Sequence, residues 1–224
     1  MLLNSHCAGC QRPGPVLCRA CRFALVSPPN MAYSSEVVSA VPFAGRPRDV
    51  LLGFKYGNRR QLAHHFAGLL VNRLARAGID GGHVDVVTWA PTSRAHRHRR
   101  GFDQAEVVAR RVAAQLGVPC RRLLERDRSS VAQTGLPRTE RLHGPVFRSS
   151  PAARGKRVLV IDDVVTTGST LRSASAALRA GGAASVVRAA VASTPALPAG
   201  RHGVGSTTRS SSAPATVAIR PRAA

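Results

Sequence analysis

The sequence predicts an α/β fold built on a mostly parallel, doubly wound sheet. Two observations support this prediction. Short apolar runs rich in β-branched residues are typical of buried parallel strands, and between them apolar residues recur at helical spacing. A sheet of this kind binds its ligand at the carboxyl ends of the strands. The predicted strands are 36–43, 84–90, 158–161 and 185–192, and the predicted helices are 47–54, 61–77, 103–116 and a last one that stops at Gly181.

Three of the helices have a clear apolar face. The helix over 61–77 places Leu62, Phe66, Leu69, Leu70 and Leu74 on one side. The helix over 103–116 turns Ala105, Val108, Val112 and Leu116 inward, and Asp103 suits its positive end. The last helix repeats Leu171, Ala174, Ala177 and Leu178 before Gly181-Gly182 ends it.

The most informative segment is 158–170, with the sequence Val-Leu-Val-Ile-Asp-Asp-Val-Val-Thr-Thr-Gly-Ser-Thr. It reads as a buried strand, an acidic pair, a loop of hydroxyls with one glycine, and the start of a helix. Backbone N–H groups and hydroxyls of 166–170 suit a phosphate at the helix N-terminus. Asp162 and Asp163 are acceptors only, so they suit the vicinal hydroxyls of a ribose. The segment predicts a site for a sugar phosphate.

Other interpretations of this segment are weaker. A P-loop NTPase needs GxxxxGK[ST], whereas Gly155-Lys156 is followed by Arg157. A phospho-acceptor receiver domain needs a downstream lysine and a further acid, and no Asp, Glu or Lys follows Asp163. An ordinary strand-to-helix turn capped by Thr166 or Thr167 stays open.

The segment resembles the phosphoribosyl-pyrophosphate (PRPP) motif of type I phosphoribosyltransferases, an apolar strand followed by Asp-Asp-x-x-Thr-Thr-Gly-x-Thr. The resemblance implies a PRPP site in which Mg²⁺ is held chiefly by PRPP itself. The residues that it assigns to PRPP are Asp162, Asp163, Val164, Thr166, Thr167, Gly168, Ser169 and Thr170.

Four cysteines near the N-terminus form the pairs Cys7-x-x-Cys10 and Cys18-x-x-Cys21. Two such pairs can complete a tetrahedral structural zinc site. In a reducing compartment this is favoured over disulfides, and a thioredoxin-like redox motif would need only one pair in a βα context. Four thiolates close the coordination sphere, so we expect no catalysis by the metal. Cys120 is predicted to be a buried or idle thiol.

Further motifs make the resemblance to a particular family more specific. They are Lys55-Tyr56-Gly57, Pro91-Thr92-Ser93-Arg94, Arg100-Gly101-Phe102-Asp103-Gln104 and a Gln…Arg…Arg stretch downstream. Together with the cysteine knuckle they are similar to the ComF (competence protein F) family, also called GntX-like, over Cys7 to about Thr194. The chain departs from that family at Thr88–Pro91, where the family usually has Val-Pro-Val-Pro, and at Asp103, where it has Asn.

This resemblance implies roles for individual residues. Thr92, Ser93, Arg94 and Arg100 would face pyrophosphate, and the catalytic set would be Asp162, Asp163, Arg94 and Arg100. Tyr56 and Phe102 are candidates for stacking the second substrate. Residues 121–147 would hold a mobile loop that closes over PRPP, with Arg126, Gln133, Arg138 and Arg141 as its functional side chains; a plain solvated loop is the alternative.

The composition of the chain indicates the kind of partner that it binds. The chain has 224 residues and a formal charge of +22, and Lys55 and Lys156 are its only lysines. Such a charge indicates a polyanionic partner, either phosphorylated substrates or nucleic acid, although a generic basic surface gives the same composition. No apolar run approaches a membrane span, and Met1-Leu2-Leu3 leads directly into polar residues, so the sequence predicts a cytoplasmic protein.

The predicted organisation is a zinc knuckle with its linker over 1–30, a phosphoribosyltransferase-like domain over 31–194 and a disordered tail over 195–224. The leading hypothesis is transfer of phosphoribosyl from PRPP to an unknown nucleophile, with release of pyrophosphate and an association with DNA uptake. The alternative is a module without turnover that senses PRPP or a nucleotide, or binds single-stranded DNA beside a competence helicase.

Overall fold

A computed structural model describes residues 6–26, 36–127 and 145–195. The helices are α1 (Arg19–Val26), α2 (Gly45–Tyr56), α3 (Leu62–Arg76), α4 (Arg94–Arg100), α5 (Gln104–Leu116) and α6 (Ser169–Ala180). The strands are β1 (Val38–Pro42), β2 (Val86–Trp89), β3 (Leu124–Arg126), β4 (Phe147–Ser149), β5 (Arg157–Val165) and β6 (Ser185–Ser193). Gln133, Arg138, Arg141 and the tail beyond residue 195 lie outside the described residues.

The main sheet has four parallel strands in the order β1-β6-β5-β2. This confirms the predicted α/β fold with a parallel sheet. Because all four strands run in the same direction, their carboxyl ends meet at one edge, where β5 lies between its neighbours β2 and β6. That edge is where the acidic pair lies.

Helices cover both faces of this sheet. Leu159 and Ile161 of β5 belong to the core formed with α3 and α5, whereas Val158 and Val160 belong to the core formed with α6. Successive residues of a strand point to opposite faces, so a continuous apolar run fits a strand that is covered on both sides. The acids that follow this run are thus held on a rigid, fully packed strand.

Strand β5 extends further than predicted. The apolar run ends at Ile161, but pairing with β6 continues through Asp162, opposite Ala190, and Val165, opposite Ser193. The acidic pair therefore lies inside the strand, near its carboxyl end, and not in the loop that follows. Main-chain hydrogen bonds to a neighbouring strand restrain both carboxylates more firmly than a loop would.

Helix α4 and the β3–β4 pair were not predicted. The cationic run 94–100 forms a helix because Ser93 accepts a hydrogen bond from His96 N at its start, and Gly101 takes a left-handed conformation (φ 73°) at its end. Strands β3 and β4 pair antiparallel, with Arg126 opposite Phe147. Arg126, which was expected on a mobile loop, is the last residue of β3 and lies opposite Phe147.

The knuckle segment 6–26 packs on α2 and contributes Cys7, Ala8, Cys21 and Leu25 to the core shared with α3 and α5. Its own helix, α1, contacts α2. Among the described residues, no helix combines the length and the apolarity that a membrane span requires.

Candidate functional site at the carboxyl end of strand β5

Asp163 forms the centre of a partly buried ion-pair cluster. Its Oδ2 lies 2.8 Å from Lys55 Nζ and 3.8 Å from Arg100 Nη1. Lys55 comes from the last turn of α2 and Arg100 from the end of α4. Only 11%, 8% and 18% of the Lys55, Arg100 and Asp163 side chains are exposed. Burial lowers the effective dielectric constant, so these contacts are stronger than ion pairs on a surface.

Asp162 differs from its neighbour in its surroundings. Its Oδ1 accepts a hydrogen bond from Asp163 N at 2.7 Å. Burial, and then the adjacent Asp163 charge, raise the pKa of Asp162 to about 8 against the lowering effect of that hydrogen bond and of Lys55. The pair thus combines one carboxylate held by two cations with one carboxyl group that favours its protonated form at neutral pH.

Arg126, on strand β3, interacts electrostatically with Asp162. Burial lowers the pKa of its guanidinium, and the charge of Asp162 acts in the opposite direction. Its Nε is buried without a hydrogen-bond partner within the described part of the chain. A buried guanidinium donor of this kind is costly unless a partner, such as an anionic ligand, binds it.

Arg100 links α4 to α2 and α5. One Nη donates to Gln104 Oε1 at 3.1 Å and the other to Tyr56 Oη at 3.3 Å, and the guanidinium lies 5.1 Å from the Tyr56 ring centroid. Its Nε is also buried and unpaired among the described residues. Gln104 in turn donates through Nε2 to Lys55 O at 3.3 Å.

The two candidate stacking residues, Tyr56 and Phe102, differ in their exposure to solvent. Tyr56 is 59% exposed and carries the Arg100 guanidinium on its ring. Phe102 is only 6% exposed, packs edge-on against Phe54 and lies under the Arg60 guanidinium at 4.8 Å. Phe102 is therefore a core residue, poorly placed to stack a substrate.

The loop 166–168 and the first turn of α6 form the predicted phosphate segment. Gly168 has a φ of 74°, which favours glycine, and caps α6 without a side-chain hydrogen bond. Thr167 Oγ1 donates to Ser169 Oγ at 3.1 Å, and Arg172 Nη1 donates to Thr167 O at 2.7 Å. Thr166 and Thr167 are exposed, whereas Val164, Gly168, Ser169 and Thr170 are half-buried. First-turn N–H groups have no intrahelical acceptor, so they can bind an anion.

The predicted pyrophosphate segment lies between β2 and α4. Thr92 N donates to Asp103 Oδ2 at 2.9 Å, and Ala105 N and Glu106 N donate to Asp103 Oδ1, so this buried acid ties the segment to the start of α5. Burial raises the pKa of Asp103 despite these hydrogen bonds. Arg94 is exposed and lines an open cavity of ≈ 410 Å³ with Arg97, His98 and Gly101.

Several residues near the acidic pair were not assigned to it from the sequence. Lys55 contacts Asp163 together with the predicted Arg100, and Gln104 hydrogen-bonds both of these basic residues. The charge of Asp162 acts on Arg126, whereas Arg94 lines the cavity at α4. His96 is also close: burial and the charges of Arg100 and Arg99 lower its pKa, and Asp163 raises it. One signal for Lys55 was available, since lysine is rare in this arginine-rich chain.

The four N-terminal cysteines converge. Their Sγ atoms all lie within 4.8 Å of one another, and Cys10 Sγ and Cys18 Sγ are 3.7 Å apart. Four thiolates at Zn–S distances of about 2.3 Å in a tetrahedron are separated by roughly 3.8 Å, so the cluster could hold a metal of that size. Burial raises the pKa of Cys7, but hydrogen bonds from the Cys10, Cys18 and Gly9 N–H groups outweigh it and lower that pKa to about 6.

Part of the chain is similar to a known protein family. Residues 103–202 match the family model of the phosphoribosyl transferase domain. The match includes the acidic pair and the loop into α6, and it begins after Lys55 and the cysteine cluster.

The DNA utilization protein YhgH of Salmonella typhimurium is 29% identical over 192 residues, which cover 81% of this chain and 81% of that protein. This distant homology and the domain match confirm the predicted resemblance at that level. Among solved structures, purine phosphoribosyltransferase from Pyrococcus horikoshii Ot3 is 19% identical, with a TM-score of 0.39 and coverage of 62% of this chain and 79% of that one. Glutamine PRPP amidotransferase from B. subtilis is 21% identical with a TM-score of 0.41, and the match covers 67% of this chain but 28% of that one.

Proposed function

We propose that the phosphoribosyl transferase domain of this chain binds PRPP and transfers its phosphoribosyl group to a second substrate. The observation that carries the proposal is the juxtaposition of the Asp162–Asp163 pair with the first turn of α6, at one end of β5. Carboxylates accept hydrogen bonds from ribose hydroxyls, while the helix N-terminus and the hydroxyls of 166–170 bind the 5′-phosphate.

Cations around the pair support a polyanionic substrate. Lys55 and Arg100 contact Asp163, and Arg126 interacts electrostatically with Asp162. Two cations thus contact Asp163, and the charge of a third acts on Asp162, which favours its neutral form. The buried, unpaired Nε donors of Arg100 and Arg126 would find acceptors in the pyrophosphate oxygens. Thr92, Ser93 and Arg94 would extend this contact at the segment before α4.

The proposed reaction breaks the bond between C1 of the ribose and the pyrophosphate oxygen. Pyrophosphate leaves with the electron pair of that bond, and the nucleophile forms a new bond to C1 and loses its proton. Positive charge develops on the sugar ring in the transition state. The contribution of the protein is to position the reactants and to compensate charge with groups that are already fixed in place.

The side chains of this site suit magnesium that arrives with the substrate. Asp163 Oδ2 is already held by Lys55 and Arg100, which disfavours direct coordination of a divalent cation by that oxygen. Mg²⁺ bound to PRPP would neutralise the leaving pyrophosphate.

In the cysteine cluster, zinc is the metal that fits four thiolates at these separations, and we propose a structural role for it. Elemental analysis should find about one zinc per chain.

Thermal protection tests the proposed site. PRPP with Mg²⁺ should raise the unfolding temperature of the wild-type protein, because a ligand that binds the native state stabilises it by mass action. The double variant Asp162→Asn/Asp163→Asn should fold but lose this protection. Asp49→Asn, which changes a half-buried acid on α2, is the control and should keep it. Equal protection of the double variant would contradict the site.

A second candidate function is binding of single-stranded DNA without turnover. The observation that favours it is α4, where Arg94, His96, Arg97, His98 and Arg99 are all exposed. Three of them, Arg94, Arg97 and His98, line the open cavity. The +22 charge fits a nucleic-acid partner, and the name of the Salmonella relative concerns DNA utilization. Oligonucleotide binding that persists in the Asp162→Asn/Asp163→Asn variant would place this activity outside the PRPP site. A competence helicase would then be the partner to test.

A further inference from the structure

We propose that Lys55 is a positioning residue of the sugar site: it holds Asp163 by one oxygen so that the other oxygen is presented to the ribose hydroxyls. This inference rests on the proposed binding of PRPP at the acidic pair. It assigns a role to Lys55, which lies before the region matched by the domain family.

The first support is the asymmetry of the contacts on Asp163. Lys55 Nζ and Arg100 Nη1 both approach Oδ2. In both ion pairs the shortest distance is to Oδ2, at 2.8 Å for Lys55 and 3.8 Å for Arg100. A carboxylate fixed through Oδ2 can accept a hydroxyl hydrogen at Oδ1 without breaking its ion pair. The ligand would therefore find its acceptor already oriented, which reduces the free-energy cost of ordering it.

The second support is the rigidity of the backbone that carries Lys55. Gln104 Nε2 donates to Lys55 O from the buried start of α5. Two residues earlier, Gly53 lies so close to the knuckle that an added Cβ would clash with Ala8 O. The last turn of α2 is thus held by α5 and by the cysteine knuckle.

The third support is the chemistry of lysine at this position. Lys55 is one of two lysines in the chain, and its ammonium group is a compact point charge on a flexible stem. Arginine would bring a planar fork that tends to engage both oxygens of a carboxylate. Lysine can bind one oxygen and leave the second available, and the shortest contact of Lys55 is with Asp163 Oδ2 at 2.8 Å.

Isothermal titration with three probes separates positioning of the acid from direct contact with pyrophosphate. The probes are PRPP with Mg²⁺, ribose 5-phosphate and inorganic pyrophosphate with Mg²⁺. The variants are Lys55→Met and Lys55→Gln, and Lys156→Met is the matched control because Lys156 is exposed. We expect both Lys55 variants to bind PRPP and ribose 5-phosphate about 10-fold or more weakly, as for the loss of a charged hydrogen bond. Binding of pyrophosphate should change less than about twofold, since Lys55 does not contact it in this proposal.

A double-variant cycle completes the test. If Lys55 acts through Asp163, adding Lys55→Gln to Asp163→Asn should cause little further loss of PRPP affinity, because the two residues act as one unit. Additive losses, or a loss confined to PRPP and pyrophosphate, would overturn the positioning role while leaving the proposed function intact. A wild-type protein that binds none of the three probes would contradict the proposed function itself, and the role of Lys55 with it. The Gln variant guards against misfolding of the Met variant, since it keeps a polar group of similar length.

Discussion

The charges around Asp162 and Asp163 are paired inside the molecule, whereas most cations of α4 face solvent. Asp163 is held by Lys55 at 2.8 Å with little exposure of either side chain. Five of the seven residues of α4 are exposed basic side chains, and only Arg100 turns inward to the acidic pair. The positive charges of this chain thus occur in two environments, one buried and paired with acids and the other exposed to solvent. Charges fixed by partners suit recognition of one small ligand, and solvated charges suit a long polyanion.

Arg100 belongs to both regions, so of the changes considered its replacement should alter PRPP affinity the most. Arg100→Met removes contacts to Asp163, Gln104 and Tyr56. We expect PRPP affinity to fall by about 10- to 100-fold, because hydrogen bonds to charged groups contribute roughly 1.5–3 kcal/mol each. Titration calorimetry measures this loss. An unchanged affinity would show that the inward-facing end of α4 is no part of the site.

The outward face of α4 should behave in the opposite way. Arg97→Ser/Arg99→Ser removes two exposed charges and should leave PRPP affinity within about twofold, since neither residue contacts the acidic pair. Binding of single-stranded DNA should weaken at every sequence, and the slope of log K against log[salt] should fall by roughly 1.4, or 0.7 per lost phosphate contact. The same slope in wild type and variant would place any DNA surface elsewhere.

Asp162 gives the smallest and most specific effect, through pH. Its pKa is about 8 in the folded protein, against roughly 3.9 in an unfolded chain. Between these values the native state binds more protons than the unfolded state, so stability falls as pH rises. Asp162→Asn removes this term. The unfolding temperature of the wild type should therefore decrease more than that of the variant between pH 5 and pH 8.5, as measured by scanning fluorimetry. Parallel curves would show that burial does not perturb this carboxyl group.

The sequence was sufficient for the parallel sheet, the acidic pair and the cysteine cluster, because each has a local pattern. Apolar runs mark β5 and β6, and paired cysteines mark the knuckle. The placement of Lys55, Gln104 and Arg126 beside the pair could not be predicted, since it depends on how α2, α5 and β3 pack around the strand. Helix α4 was missed because its six basic residues have no apolar periodicity; its start and end are set by Ser93 and Gly101.

Arg126 shows why the β3–β4 pair was not predicted. A charged stretch interrupted by glycine and proline is typical of a loop, but Arg126 precedes the glycine and pairs with Phe147 across an antiparallel ladder. Pairing between residues that are distant in sequence leaves no local signal at either one. The site residues that the sequence could identify are therefore those on β5 and α6, which are contiguous in the chain.

Isothermal titration of the wild-type protein with PRPP and Mg²⁺, at moderate salt so that general charge attraction is screened, tests the central claim most directly. We predict saturable binding at one site per chain in the micromolar range, and its loss in Asp162→Asn/Asp163→Asn. Absence of saturable binding by the wild type, with oligonucleotide binding intact, would contradict the claim. The domain would then be a transferase fold that serves as a nucleic-acid or partner scaffold.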